Sequence, residues 1–97
     1  MSETHNLRIK DVQVSDETLA VELSDGRTVS LPLDYYPRLL DGTSIERKRW
    51  QLVGQGAGVY WFDLDEEISI GNILAGKPSG ESQRSFQKWQ AGHRKWG

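Results

Sequence analysis

Leu19, Val21 and Leu23 alternate with Ala20 and Glu22, Ser24-Asp25-Gly26 follows, and Val29 and Leu31 then alternate with Thr28 and Ser30. No other stretch narrows the fold as much. Alternation at a period of two puts the branched residues on one face of a strand, and Asp-Gly between two such runs is the strongest short-range signal of a β-hairpin. The chain is therefore expected to build antiparallel sheet around residues 19–31, with Pro32 ending the second strand.

The segment before it, Leu7 to Val14, also reads as a strand, but with a change of phase. Leu7 and Ile9 are odd, whereas Val12 and Val14 are even. A strand keeps both pairs on one face only if it carries an extra residue, so a bulge or break is expected near Lys10-Asp11.

Downstream, Asp34 is placed to cap a short helix through Tyr35-Tyr36-Pro37-Arg38-Leu39-Leu40, with Pro37 tolerated in the first turn and Asp41-Gly42 as the stop. Thr43-Ser44-Ile45-Glu46 has the spacing of a capping box and predicts a second helix through Arg47-Lys48-Arg49. Trp50 to Val53 and Val59 to Phe62 flank Gly54-Gln55-Gly56-Ala57-Gly58, which predicts a second hairpin with a glycine loop. Ile68 and Ile70 alternate briefly, Asn72 to Ala75 suits one helical turn, and Gly76 with Pro78 closes the unit. The expected fold is α+β: a small, mostly antiparallel sheet made of two hairpins, with two or three short helices.

Composition divides the chain after Gly76. Of the apolar residues, 31 lie in residues 1–76 and 4 in residues 77–97. The first part carries 7 Lys/Arg against 13 Asp/Glu, net −6; the second carries 5 Lys/Arg against Glu81 alone, net +4. Residues 1–76 can build a core, whereas residues 77–97 cannot do so alone. Pro78-Ser79-Gly80-Glu81-Ser82 reads as a flexible linker. Beyond it Phe86, Trp89, His93 and Trp96 recur at spacings of 3, 4 and 3, which is one stripe of a helix.

A chain of 97 residues is at most one domain's worth, which excludes an enzyme with a cleft between two lobes. The absence of cysteine removes disulfides, thiolate nucleophiles and Cys-based metal sites together. Met1 to Asn6 lacks a basic patch followed by an apolar run, and no stretch approaches a membrane span, so a soluble, unexported, cytoplasmic protein is expected.

No motif assembles a catalyst. The Gly54, Gly56, Gly58 loop has glycines spaced as in a phosphate cradle, but a strand follows it and no Lys-Ser/Thr does, so a structural hairpin loop is the reading. Asp63, Asp65, Glu66 and Glu67 lack the alternating, glycine-centred spacing of a calcium loop; capping of the next turn or a solvated acidic face explains them, and an acidic docking surface for a partner is the next option. His5 and His93 lie near opposite termini without a supporting acid in register, and there is no nucleophile elbow. Neither a metal nor another cofactor is expected, and the chain reads as a non-enzyme.

Cation and aromatic ring combine in two places: Arg47-Lys48-Arg49 beside Trp50, and the tail with Phe86, Trp89 and Trp96 among Lys88, Arg94 and Lys95. That combination suits single-stranded nucleic acid. For the first, a solvated helix end with Trp50 in the core needs less. The tail's rings are expected to be buried against something, with its own body or a second copy first, a partner protein next, then nucleic acid, then no role at all. The candidate partner-binding residues are thus Phe86, Trp89, Trp96, Asp63, Asp65 and Glu66; the alternative nucleic-acid set is Arg47, Lys48, Arg49, Lys88, Arg94 and Lys95.

The order Pro37-Arg38-Leu39, Glu46-Arg47, Trp50, the glycine loop, Val59-Tyr60-Trp61, Leu64-Asp65-Glu66-Glu67-Ile68-Ser69-Ile70 and Ile73-Leu74 resembles domain-of-unknown-function family 2442 of bacteria, over Arg8 to Gly76. The most specific piece is Trp61, two residues, then Leu-Asp-Glu and Ile-Ser. The sequence departs from the pattern at Phe62, where proline often follows the tryptophan, and at Glu67, where aspartate is common. The resemblance implies a small α+β domain with no established catalytic residues. It also implies a gene context beside another small uncharacterised family, as in a toxin–antitoxin pair; the net −6 of residues 1–76 makes a small basic protein encoded nearby the expected partner. Some members are fused to a helix-turn-helix domain; residues 77–97 lie outside the pattern and are too short to be one.

Overall fold

Among the described residues, two three-stranded antiparallel sheets, not one, carry the strands, and four α-helices join them in an α+β fold. The computed structural model describes residues 7–96, with side chains through His93. Strands β1 (Ile9–Val14), β2 (Thr18–Leu23) and β3 (Thr28–Pro32) form the first sheet in the order β1-β2-β3. Strands β4 (Trp50–Val53), β5 (Gly58–Trp61) and β6 (Glu66–Ser69) form the second in the order β4-β5-β6.

The hairpin read from Leu19 to Leu31 is β2-β3, in register Leu19↔Leu31, Ala20↔Ser30 and Val21↔Val29. The phase change in β1 is a bulge: Ile9 pairs with Leu23 but Asp11 with Glu22. The skipped residue lets Ile9 and Val12 both point into the core, where they are buried. Each sheet turns one face inward, and Leu19, Val21, Leu23, Val59, Trp61 and Ile68 meet there with Leu39, Leu64 and Ile73 in one buried cluster.

The glycine loop fastens the two sheets together. At Gly56, φ is +92°, and a Cβ there would stand 3.0 Å from both the Arg8 Cβ and the Ile9 carbonyl oxygen of β1. Only a residue without a side chain allows that approach. The loop leads into β5, so no helix N-terminus exists beyond it to hold phosphate.

Helix α1 (Pro37–Asp41) starts later than Asp34 capping predicts. Leu33–Tyr35 form a separate 3-10 turn, and Tyr36, at φ −128° and ψ 88°, divides the two without any side-chain cap. The residue before a proline is disfavoured in the helical region, and here that break swings the Tyr36 ring into the core, where it is buried. Helix α2 (Ser44–Lys48) has the predicted capping box, with the Glu46 N–H donating to Thr43 Oγ1 at 3.1 Å and the Thr43 N–H to Glu46 Oε1 at 2.8 Å.

Helix α3 (Ile70–Ala75) is capped by Ser69, which accepts from the Asn72 N–H, so the acidic run before it is not its cap. Gly76, at φ +66°, closes α3 in the left-handed conformation that a C-terminal glycine provides. Helix α4 (Gln83–Trp96) is the tail, and the segment leading to it is fastened rather than flexible. The Tyr36 hydroxyl donates to the Lys77 carbonyl at 3.1 Å, and the Ser79 N–H to the Tyr35 carbonyl at 2.8 Å. Among the described residues, no helix is long and apolar enough to cross a membrane.

Candidate functional site

The residues that gather outside the core do so where α4 crosses α1 and α2. Arg38 stands at the centre. It follows Pro37 at the start of α1, with its side chain 17% exposed. The edge of its guanidinium donates from Nε to Glu81 Oε1 at 2.9 Å and from Nη1 to the Asp65 carbonyl at 2.8 Å, while Nη2 pairs with Glu81 Oε2. Its face lies under the Trp89 indole, with the guanidinium carbon 5.0 Å from the ring centroid. A planar cation used at both edge and face is a task that lysine, a point charge, does not perform.

Trp89 is itself the middle of an aromatic ladder. Phe86 lies 5.9 Å away at 27°, and His93 4.7 Å away at 11°. The spacing of 3 and 4 read from the sequence thus builds one stacked stripe, half-buried, with Trp89 packed against the core. Two further contacts fasten the helix: Gln90 Nε2 donates to Asp41 Oδ1, and His93 Nε2 sits against Glu46 Oε2, both at 2.9 Å. His93 therefore does have an acidic partner, one contributed by the capping box of α2, which sequence order could not place beside it. The Arg94, Lys95 and Trp96 side chains lie outside the described residues, as does His5.

Two of the acidic candidates, Asp65 and Glu66, are drawn into the same corner. Asp65, at φ +48° in the β5-β6 turn, accepts the Tyr60 hydroxyl at 3.2 Å and lies 3.7 Å from Arg38 Nη1. Glu66 opens β6 half-buried, and that burial lifts its carboxyl from 4.5 to about 7, with Glu81 and Asp65 adding to the rise and Arg38 opposing it. The Arg38 hydrogen bonds, helped by the Ser85 hydroxyl, hold the Glu81 carboxyl below its ordinary value. Asp63 is drawn aside, paired with Arg49 Nε at 3.3 Å.

Of the described basic candidates, Arg47 stands apart. Arg47 is 8% exposed and points inward, donating from Nε to the Leu39 carbonyl and from Nη2 to the Leu40 carbonyl, each at 2.8 Å, and from Nη1 to Asp16 at 2.9 Å. It closes the C-terminal end of α1, and its own carbonyl accepts from the buried Trp61 indole. Its guanidinium is taken up by two α1 carbonyls and Asp16, which sets it apart from the exposed basic candidates. Lys48, Arg49 and Lys88 are exposed.

Arg38 and Glu81, which hold the corner together, were not among the candidates. The signal for Glu81 was available: it is the one acid in an otherwise basic tail. No group of three His, Cys, Asp or Glu among the described residues is arranged to hold a metal ion.

Residues 9–79 match the family described as Protein of unknown function (DUF2442). The chain is a member of that family. Its fold is similar to the crystal structure of a protein of unknown function from Rhodospirillum rubrum, with a TM-score of 0.66 and 23% identity over 79% of this chain and 95% of that one. It is similar also to the solution structure of an uncharacterised protein from Chromobacterium violaceum, with a TM-score of 0.66 and 22% identity over 94% of this chain and 80% of that one. No curated protein matches the chain. The DUF2442 match ends at residue 79, so α4 lies beyond it.

Proposed function

We propose that this DUF2442 member is a non-enzymatic protein-binding module, the antitoxin-like or adaptor half of a two-protein bacterial system acting in the cytoplasm. The observation that carries the reading is the seat of α4. A body of net −6 holds a segment of net +4 through an arginine, a stacked tryptophan and two acid-anchored donors. Aromatic and arginine anchors ringed by polar pairs are the chemistry by which protein interfaces gain affinity, and opposite net charge speeds encounter and selects partners. The acidic corner of Asp65 and Glu66 beside that seat favours a small basic protein.

The test is a pull-down from source-organism lysate after nuclease treatment, with retained proteins identified by mass spectrometry. Stoichiometric retention of one small basic protein is the expected result. Empty beads after nuclease, with nucleic acid recovered before it, would transfer the assignment to nucleic-acid binding through Lys48, Arg49 and Lys88.

A further inference from the structure

Helix α4 is a weak helix on its own. Its fourteen residues are near the lower limit for an isolated helix in water, and Gly92 lowers its propensity further. It is held by Trp89 on Arg38 and at the edge of the core, Gln90 on Asp41 and His93 on Glu46, with Glu81 just before the helix paired to Arg38. The receiving side chains all belong to α1 and α2, inside the matched region 9–79, while the helix itself lies beyond it. A segment held by local anchors on a body with its own core opens at lower cost than the whole fold. A tethered segment also competes at an effective concentration in the millimolar range, so only an occupant of matching chemistry displaces it.

We infer that the face built by Arg38, Asp41 and Glu46 is a docking groove for an amphipathic helix of a protein partner, and that α4 is its intramolecular occupant, displaced on binding. This deepens the protein-binding reading, on which it rests, by naming the site and the partner's chemistry. The Arg38 plane selects an aromatic ring, its edge selects one carboxylate N-terminal to that ring, and Asp41 and Glu46 select hydrogen-bond donors or cations on the following turn. The occupant is a partner's helix and not α4 of a second copy, because the segment before α4 is fastened to its own body by the Tyr36–Lys77 and Tyr35–Ser79 hydrogen bonds.

Two substitutions in α4 set the groove open or closed without touching the body. Ala91 is exposed, and proline there splits the helix between Trp89 and His93. A Cβ at Gly92 meets nothing within 4 Å, so alanine there stabilises the helix. The probe is a synthetic peptide of residues 79–97, titrated calorimetrically into the full chain. A91P is expected to bind it about tenfold or more tightly than the unaltered chain, and G92A about fivefold more weakly, because apparent affinity scales with the open fraction. Adding R38Q to A91P removes ring and carboxylate recognition together and is expected to lose that gain. Equal affinity for the unaltered chain, A91P and G92A would overturn the inference, as would no binding to an A91P chain that circular dichroism shows to be folded. A concentration-dependent dimer of A91P in light scattering would overturn the choice of occupant in favour of a second copy. If the peptide fails while the pull-down retains a basic protein, this site is wrong and the binding reading stands; peptide binding with empty beads gives the reverse.

Discussion

Arg47→Met gives the sharpest stability test, because it keeps the apolar stem of a buried side chain and removes only its donors. In the folded chain Nε and Nη2 each meet a carbonyl of α1 at 2.8 Å, and Nη1 meets Asp16 at 2.9 Å. Hydrogen bonds from a charged donor contribute about 1.5–3 kcal/mol each, but the Leu39 carbonyl keeps a second donor in the Gly42 N–H, so the two together are worth about 3 kcal/mol. The Asp16 side chain is 95% exposed, which limits its pair with Arg47 to about 0–1 kcal/mol. Arg47→Met should therefore cost about 3 kcal/mol and lower Tm by about 10–20 °C, whereas Asp16→Asn should cost less than about 1 kcal/mol. Urea denaturation followed by tryptophan fluorescence measures both. Equal costs for the two variants would refute the assignment of Arg47 as the closure of α1 and make it a surface ion pair.

Three further outcomes follow from single positions. Between about pH 4.5 and 7 the folded chain binds more protons at Glu66 than the unfolded one, so its contribution to unfolding free energy falls as pH rises through that window. Glu66→Gln removes the loss: it should be more stable than the unaltered chain by about 1–2 kcal/mol near pH 8, the shift being discounted for partial exposure, and equal to it near pH 4, with destabilisation at pH 8 as the contrary result. Gly56→Ala forces a side chain into left-handed backbone against β1 and should cost about 2 kcal/mol or more in thermal melting; a neutral outcome would mean that the loop is free of β1. Thr43→Ala breaks the capping box and should cost about 1 kcal/mol in the same assay, and no change would remove the cap from the account.

Much of the fold was legible because its signals are local. The Asp25-Gly26 hairpin, the bulge in β1, the Thr43 capping box and the Gly76 closure each depend on neighbours within a few residues. The third strand of the second sheet was signalled only by the brief alternation of Ile68 and Ile70, since Glu66 to Ser69 is four residues with one buried position, and Ile70 already opens α3. Asp34 failed as a cap because a pre-proline effect at Tyr36 outweighed a good capping residue. The corner around Arg38 joins residues 27 and 43 positions apart, so no periodicity announces it. The tail's stripe was readable, but Arg47 was not: in sequence it looks like its neighbours Lys48 and Arg49, and only the path of α1 turns it inward.

That α4 is a removable cover over a binding face is tested most directly by native-state hydrogen exchange on the full chain. The account predicts that amides of residues 87–93 exchange through a local opening, about tenfold to a thousandfold faster than those of β2 and β5 once intrinsic rates are allowed for, and with little dependence on low denaturant. Protection in α4 equal to that of β5, falling with denaturant at the same slope, would show that helix and body open only as one unit and would contradict it.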